Sequence, residues 1–162
     1  MIDEILLTLL TPIEGRIGSR LRYLYYKYKL KHCGGYFSSG AGFMMSGYEN
    51  ISIGKRCSFN RGVFLGASRR IHIGDDVMIG AYTCMRDMDH GVESVDIPMR
   101  NQKGNTGMII IGNDVWIGMQ CSVLRGAIIG NGSVIGANSL VKKDIGRNGI
   151  WVGSPARLLR KR

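Results

Sequence analysis

Proline is scarce in this 162-residue chain, with three against 24 glycines, a balance that points to many tight corners. The four cysteines, Cys33, Cys57, Cys84 and Cys121, contain no CxxC pair and no zinc-ligand spacing. Neither a disulfide framework nor a structural metal site is therefore expected, and reduced thiols in the cytoplasm are the default. No window reaches the roughly 18 to 20 apolar residues that crossing a bilayer requires, which excludes an integral membrane protein. Residues 5–13 are apolar, but Asp3 and Glu4 stand where a signal peptide carries positive charge, so secretion is not expected. Acidic residues are also few, 12 against 22 basic ones, for a formal charge of +10. That excess favours an anionic partner: nucleic acid, an acidic membrane surface or a phosphorylated small molecule. The length suits one domain with an appendage.

What the chain does have is a repeat of six. Ile53, Phe59 and Leu65, then Ile73, Ile79 and Met85, then Ile111, Ile117, Val123, Ile129, Ile135 and Val141 recur at that step. Glycine follows eight of these twelve. The position four after the apolar residue is small or β-branched, as at Cys57, Val63, Val77, Thr83, Val115, Cys121, Ala127, Ser133 and Ser139. A helix cannot use this period, because 3.6 residues per turn would carry the apolar set around every face. Short strands joined by corners can, with the apolar and small residues both pointing inward. Three hexapeptides close one triangular coil of about 18 residues, and residues 53–146 give about four to five coils stacked at roughly 4.8 Å. A sandwich is disfavoured because its turns do not keep a fixed step. The register slips by two between Leu65 and Ile73, a small corner bulge, and the pattern vanishes over residues 91–108, which must leave the coil as a loop. Periodicity leaves the hand of the coil open.

The segments IGDDVMIGAYTCMRDMDHG, IIIGNDVWIGMQCSVLRGAIIGNGSVIGANSLVKKDI and WVGSPARLL resemble the hexapeptide-repeat acyltransferases, nearest to those that modify bacterial sugars and surface polysaccharides. The resemblance covers about residues 50 to 160. It implies an all-β, left-handed parallel β-helix over residues 36–150, assembled as a homotrimer. Residues 1–35 form a basic, Tyr-rich helical segment ahead of it, and residues 151–162 a closing segment. It also implies transfer of an acetyl group from acetyl-CoA to a hydroxyl of a sugar or glycan, in surface polysaccharide biosynthesis, with no metal. An amino-sugar nitrogen is the alternative acceptor.

Acetyl transfer to an alcohol needs a base. The chain offers His32, His72 and His90, and His90 alone stands where the coil breaks and where the family carries its catalytic histidine. Asp87 or Asp89 could orient its imidazole. By resemblance the pantetheine arm runs between two subunits along Trp116, Met119 and Ala137, with Lys142, Lys143, Arg157 and Arg160 toward the CoA phosphates. Tyr82, Arg86, Asp89 and Glu93 are candidate acceptor contacts. Cys84, although near His90, is read as an ordinary thiol. A metal-dependent, carbonic-anhydrase-like β-helix is the rival: His72 and His90, 18 residues apart, could stack on successive coils, but a close histidine pair is lacking.

Residues 16–31 carry six basic side chains, four tyrosines and no acid. A helix with Leu21, Leu24, Tyr28 and Leu30 on one side is expected. Such a segment either touches an anionic membrane peripherally, at its cytoplasmic face, or caps the open end of the core. Nucleic acid is not expected, since no recognition motif accompanies the charge.

Overall fold

The computed structural model describes residues 2–162, and side chains from Asp3 onward. From His32 to Val152 the chain winds as a parallel β-helix whose two- to four-residue strands stack into three sheets. The first sheet holds Ile51–Ile53, Ile71–Ile73 and Ile109–Ile111, the second Ser58–Phe59, Met78–Ile79 and Trp116–Ile117, the third Phe64–Gly66, Cys84–Arg86 and Ser122–Leu124. All twelve repeat residues named from the sequence are buried in one continuous core, and so are the nine small or β-branched ones.

The glycine after each inward apolar residue has a specific cause. At the corner between the first and second sheets, Asp75 Oδ1 accepts from the Lys55 N–H at 2.7 Å, Asn113 Oδ1 from Asp75 at 2.8 Å and Asn131 Oδ1 from Asn113 at 2.9 Å. A Cβ on Gly54, Gly74 or Gly112 would lie 2.2–2.3 Å from those same oxygens. At these three places the glycine is the space into which the next coil's Asp or Asn folds to satisfy a corner amide, whereas a Cβ on Gly80 or Gly118 would meet the backbone of the next coil.

Two features differ from the sequence reading. The coil holds a full turn ahead of the repeat counted from Ile53, at His32–Cys33, Ser38–Ser39 and Met44–Ser46, starting just before the boundary expected at residue 36, and its first turns take 20 residues, as the pairing of Ile51 with Ile71 and of Ser38 with Ser58 shows. Side-chain choice hid this turn: Phe37 and Phe43 fill the inward slots where later turns use small or β-branched residues such as Cys57 and Val77 or Val63 and Thr83, and Cys33, Ser39 and Met45 take the rung positions. With Phe59 and Tyr26 they form an aromatic plug, ring centroids 5.0–6.1 Å apart.

The N-terminal segment is a helical hairpin, α1 (Ile2–Leu10) and α2 (Gly15–Tyr26), tied across its open end by the Asp3–Lys29 ion pair at 2.8 Å. It caps the first turn. The buried face of α2 is Gly18, Ser19, Arg22 and Tyr26, however, while Leu21, Leu24 and Tyr28 point outward and Leu30 is buried beyond the helix. Polar bonding rather than apolar matching sets this face. Arg22, fully buried, donates to the carbonyls of Leu10 at 2.9 Å, Ile13 at 2.8 Å and Ser39 at 2.7 Å, and to Ser39 Oγ at 3.1 Å. The Leu10 and Ile13 carbonyls lie at the hairpin turn and the Ser39 carbonyl on the first turn of the coil, and one guanidinium fork bonds all three. Burial lowers the Arg22 pKa from its usual value, and pushes Tyr26 up to about 12.

Candidate active site

After Cys84–Arg86 the chain leaves the third sheet as a ribbon: Met88–Asp89 pairs antiparallel with Asn105–Thr106. The excursion between them is ordered by Gln102, whose side chain accepts from the Ser94 N–H at 3.0 Å and donates to the carbonyls of Ser94 and Ile97 at 2.8 and 2.6 Å. His90, exposed, sits at the start of the excursion. It lines a cleft of about 460 Å³ together with Arg86, Asp89, Glu93, Asn105 and Arg125. Three of the four expected acceptor contacts, Arg86, Asp89 and Glu93, therefore share a cleft with His90. Tyr82 does not: it lines a separate hollow against α1 and the α1–α2 turn, beside Thr11 and Arg61.

Neither nearby acid is aimed at the imidazole. Asp89 is held by Arg125, Nε to Oδ2 2.5 Å. Asp87, fully buried, accepts from the backbone N–H groups of Ser68, Arg69 and Arg70, each at 2.7 Å. Those three amides lie in the corner that the two-residue slip lengthens, between Phe64–Gly66 and Ile71–Ile73, where no strand partner answers them. Arg125 was missed by sequence reasoning, because its approach depends on Leu124 pairing with Arg86 across an excursion of unknown length. Cys84 faces outward, and desolvation by its neighbours pushes its thiol up although Arg86 pulls the other way, which leaves it less thiolate than a free cysteine.

His72 stands apart from His90. His72 pairs with Ser52 and, across the excursion, with Ile110 in the first sheet, whereas His90 stands on the excursion itself, so the two imidazoles do not stack and the geometric premise of the metal rival fails. Among the described residues no group of three or more His, Cys, Asp or Glu is placed to hold a metal ion. Burial, with Arg70 and His32 nearby, depresses the His72 pKa. A histidine depressed in the folded state contributes stability that is full above its unfolded pKa, about 6.5, and is lost as pH falls below it. Thermal melts are therefore expected to show wild type losing stability between pH 7 and 5 by more than His72→Gln does; parallel losses would remove His72 as the cause.

Trp116, half exposed, lies on the second sheet at the head of a trough of about 870 Å³ that runs down Met78 and Ser58 to Arg16 and Arg20 of α2. Met119 and Ala137 stack at the corner between the second and third sheets, where the Asn138 N–H donates to the Met119 carbonyl at 2.9 Å. Lys142 and Lys143 are exposed just past Leu140–Val141, whereas Arg157 and Arg160 lie on the last strand, Arg157–Lys161, at the edge of the second sheet. Within one chain these positions do not converge with His90: no residue lines both the His90 cleft and the Trp116 trough.

Coils of six-residue rungs with a histidine-bearing ribbon define a hexapeptide-repeat protein. Residues 108–143 match the family model for bacterial transferase hexapeptide, six repeats. WbbJ of Escherichia coli (strain K12), whose name assigns it to lipopolysaccharide biosynthesis as an O-acetyl transferase, is 31% identical over 134 residues, 77% of this chain and 68% of WbbJ. Galactoside O-acetyltransferase from the same strain is 34% identical over 126 residues, 78% of this chain and 57% of that enzyme, so the chain is shorter than both relatives. The crystal structure of the hexapeptide-repeat acetyltransferase VCA0836 of Vibrio cholerae, complexed with acetyl-CoA, superposes with a TM-score of 0.83 at 28% identity, over 98% of this chain and 84% of that one. The chain belongs to the hexapeptide-repeat acyltransferases.

Proposed function

We propose that this protein transfers an acetyl group from acetyl-CoA to a hydroxyl of a sugar or glycan, in surface polysaccharide biosynthesis, with His90 as general base. The observation that carries the reading is an exposed imidazole at the root of the ribbon, in a cleft that also presents Arg86, Glu93 and Arg125. Acetyl-CoA supplies an activated acyl group. His90 takes the proton from the acceptor hydroxyl as its oxygen attacks the thioester carbonyl, and a backbone N–H answers the charge that develops on the carbonyl oxygen. Collapse of this adduct breaks the C–S bond, and the CoA sulfur leaves as a thiol with the proton that His90 returns. Polar and charged side chains around His90 suit a hydroxyl-rich acceptor. Trp116 and Met119, both half exposed, offer apolar surface to a pantetheine arm, and Lys142 and Lys143 offer cations to its phosphates.

Because His90 and Trp116 line different hollows of one chain, a groove holding both needs a second copy, and a homotrimer meets that need. The ribbon supports it. Its tip exposes Val92, Val95, Ile97 and Met99, Val95 to 99%, a patch that another subunit would cover. A donor of this kind, together with four free cysteines, suits the cytoplasm.

The test is to screen glycans, nucleotide-sugars and amino-sugars for acceptor-dependent release of CoA thiol by the full chain, while sedimentation reports its mass. Release with a hydroxyl acceptor, by a species near three times the 17.9 kDa chain, is expected. Release only with amines would move the acceptor atom to nitrogen; a fully active monomer would overturn the shared groove.

A further inference from the structure

The helical hairpin carries more apolar surface than a capping element uses. On α2 Gly18, Ser19, Arg22 and Tyr26 face the core, while Ile17, Leu21 and Leu24, continued by Tyr28 in the turn just past the helix and spaced four, three and four apart, form one row facing outward, with exposures of 36–83%. A helix whose only task was to cap the coil would gain nothing from four large apolar side chains on its solvent side. On α1, Ile5, Leu6 and Leu9 are likewise exposed.

Charge frames the row. Arg16 and Arg20 run along one flank of α2 one turn apart, and Lys31 follows it; none of the three makes an ion pair among the described residues. Two nearby acids are already committed, Asp3 to Lys29 and Glu14 to Arg61. The surface thus presents apolar side chains beside unanswered cations. A second copy meeting it about a two-fold axis would set cations against cations, whereas anionic headgroups answer them and the acyl boundary accepts the apolar row. No helix among the described residues is long and apolar enough to cross a membrane, so contact would be in the surface plane.

We propose that α2, with the adjoining face of α1, docks this protein onto an anionic lipid surface. The row Ile17, Leu21, Leu24 and Tyr28 enters the headgroup boundary, and Arg16, Arg20 and Lys31 pair with lipid phosphates. The inference is independent of acetyl transfer, because lipid binding is read without turnover.

The full chain is mixed with vesicles of phosphatidylcholine alone or of phosphatidylcholine with phosphatidylglycerol, and the bound fraction is measured by flotation. Binding at least about tenfold tighter to the anionic vesicles, weakening as salt rises, is expected. The double variant Leu21→Gln/Leu24→Gln should lose about tenfold of that affinity while keeping its helical circular dichroism, its sedimentation mass and its thiol release with a soluble acceptor. Equal binding to both vesicles, no binding to either, or a double variant that binds as wild type would each overturn the proposal. A double variant with altered mass would reassign the row to a contact between copies.

Discussion

Replacing His90 with alanine is expected to lower acetyl-CoA-dependent turnover at least about a hundredfold while CoA binds as in wild type. A positioned base contributes about 10²- to 10⁴-fold, and no neighbour can substitute for this one. Asp89, which lines the same cleft, is engaged by Arg125, and Asp87 is buried under the corner amides. The imidazole makes no structural bond that the substitution would break, so the variant should melt with wild type. Thiol release gives the turnover, and calorimetric titration with CoA gives the affinity. Activity within about threefold of wild type would remove His90 from the role. Equal loss of activity and CoA binding would instead make it a binding residue.

How far the sequence could be read depended on how local each cause was. The rungs from Ile53 onward were legible because inward residues recur at a fixed step and glycine follows most of them, with Gly-Asp or Gly-Asn repeated at the corner between the first and second sheets. The first turn, 32–50, was not, since Cys33 and Ser39 stand at rung positions while Phe37 and Phe43 take the slots of small residues, Phe43 meeting Tyr26 across the open end and Phe37 packing on Phe43. The outward apolar row of α2 defeated the usual reading of amphipathicity, in which apolar means inward. Only the carbonyls of the hairpin turn, brought together in three dimensions, explain why Arg22 is the buried residue. In the site, His90, Arg86, Asp89 and Glu93 could be grouped because they are close in sequence. Arg125 and Asn105 join them through strand pairing across the excursion, a distance no local pattern encodes. The same excursion sets Ile110, not His90, against His72, so the stack that the metal rival required does not form.

Asp87 shows the same limit and yields the second large effect. As an acid near His90 it looked like a positioning group for the imidazole. It sits instead above the 67–70 corner, because Gly66 pairs with Arg86 in the next turn. There its carboxylate collects three amide donors, while its backbone carbonyl accepts from the Gly107 N–H at 2.9 Å where the ribbon returns. Asp87→Asn removes the charge and turns an NH₂ group toward backbone donors. One or two of them lose their acceptor in a buried place, at about 1–3 kcal/mol each. A destabilisation of about 2–4 kcal/mol follows, or roughly 5–15 °C in melting temperature for a chain of this size. Turnover should fall as well, because the ribbon that carries His90 is rooted at this residue. Its signature is the converse of His90→Ala: stability and activity drop together, and ligand-free thermal melts reveal it. If Asp87→Asn melts with wild type yet is inactive, the acid acts on the imidazole after all, through an arrangement that forms only when substrates are bound.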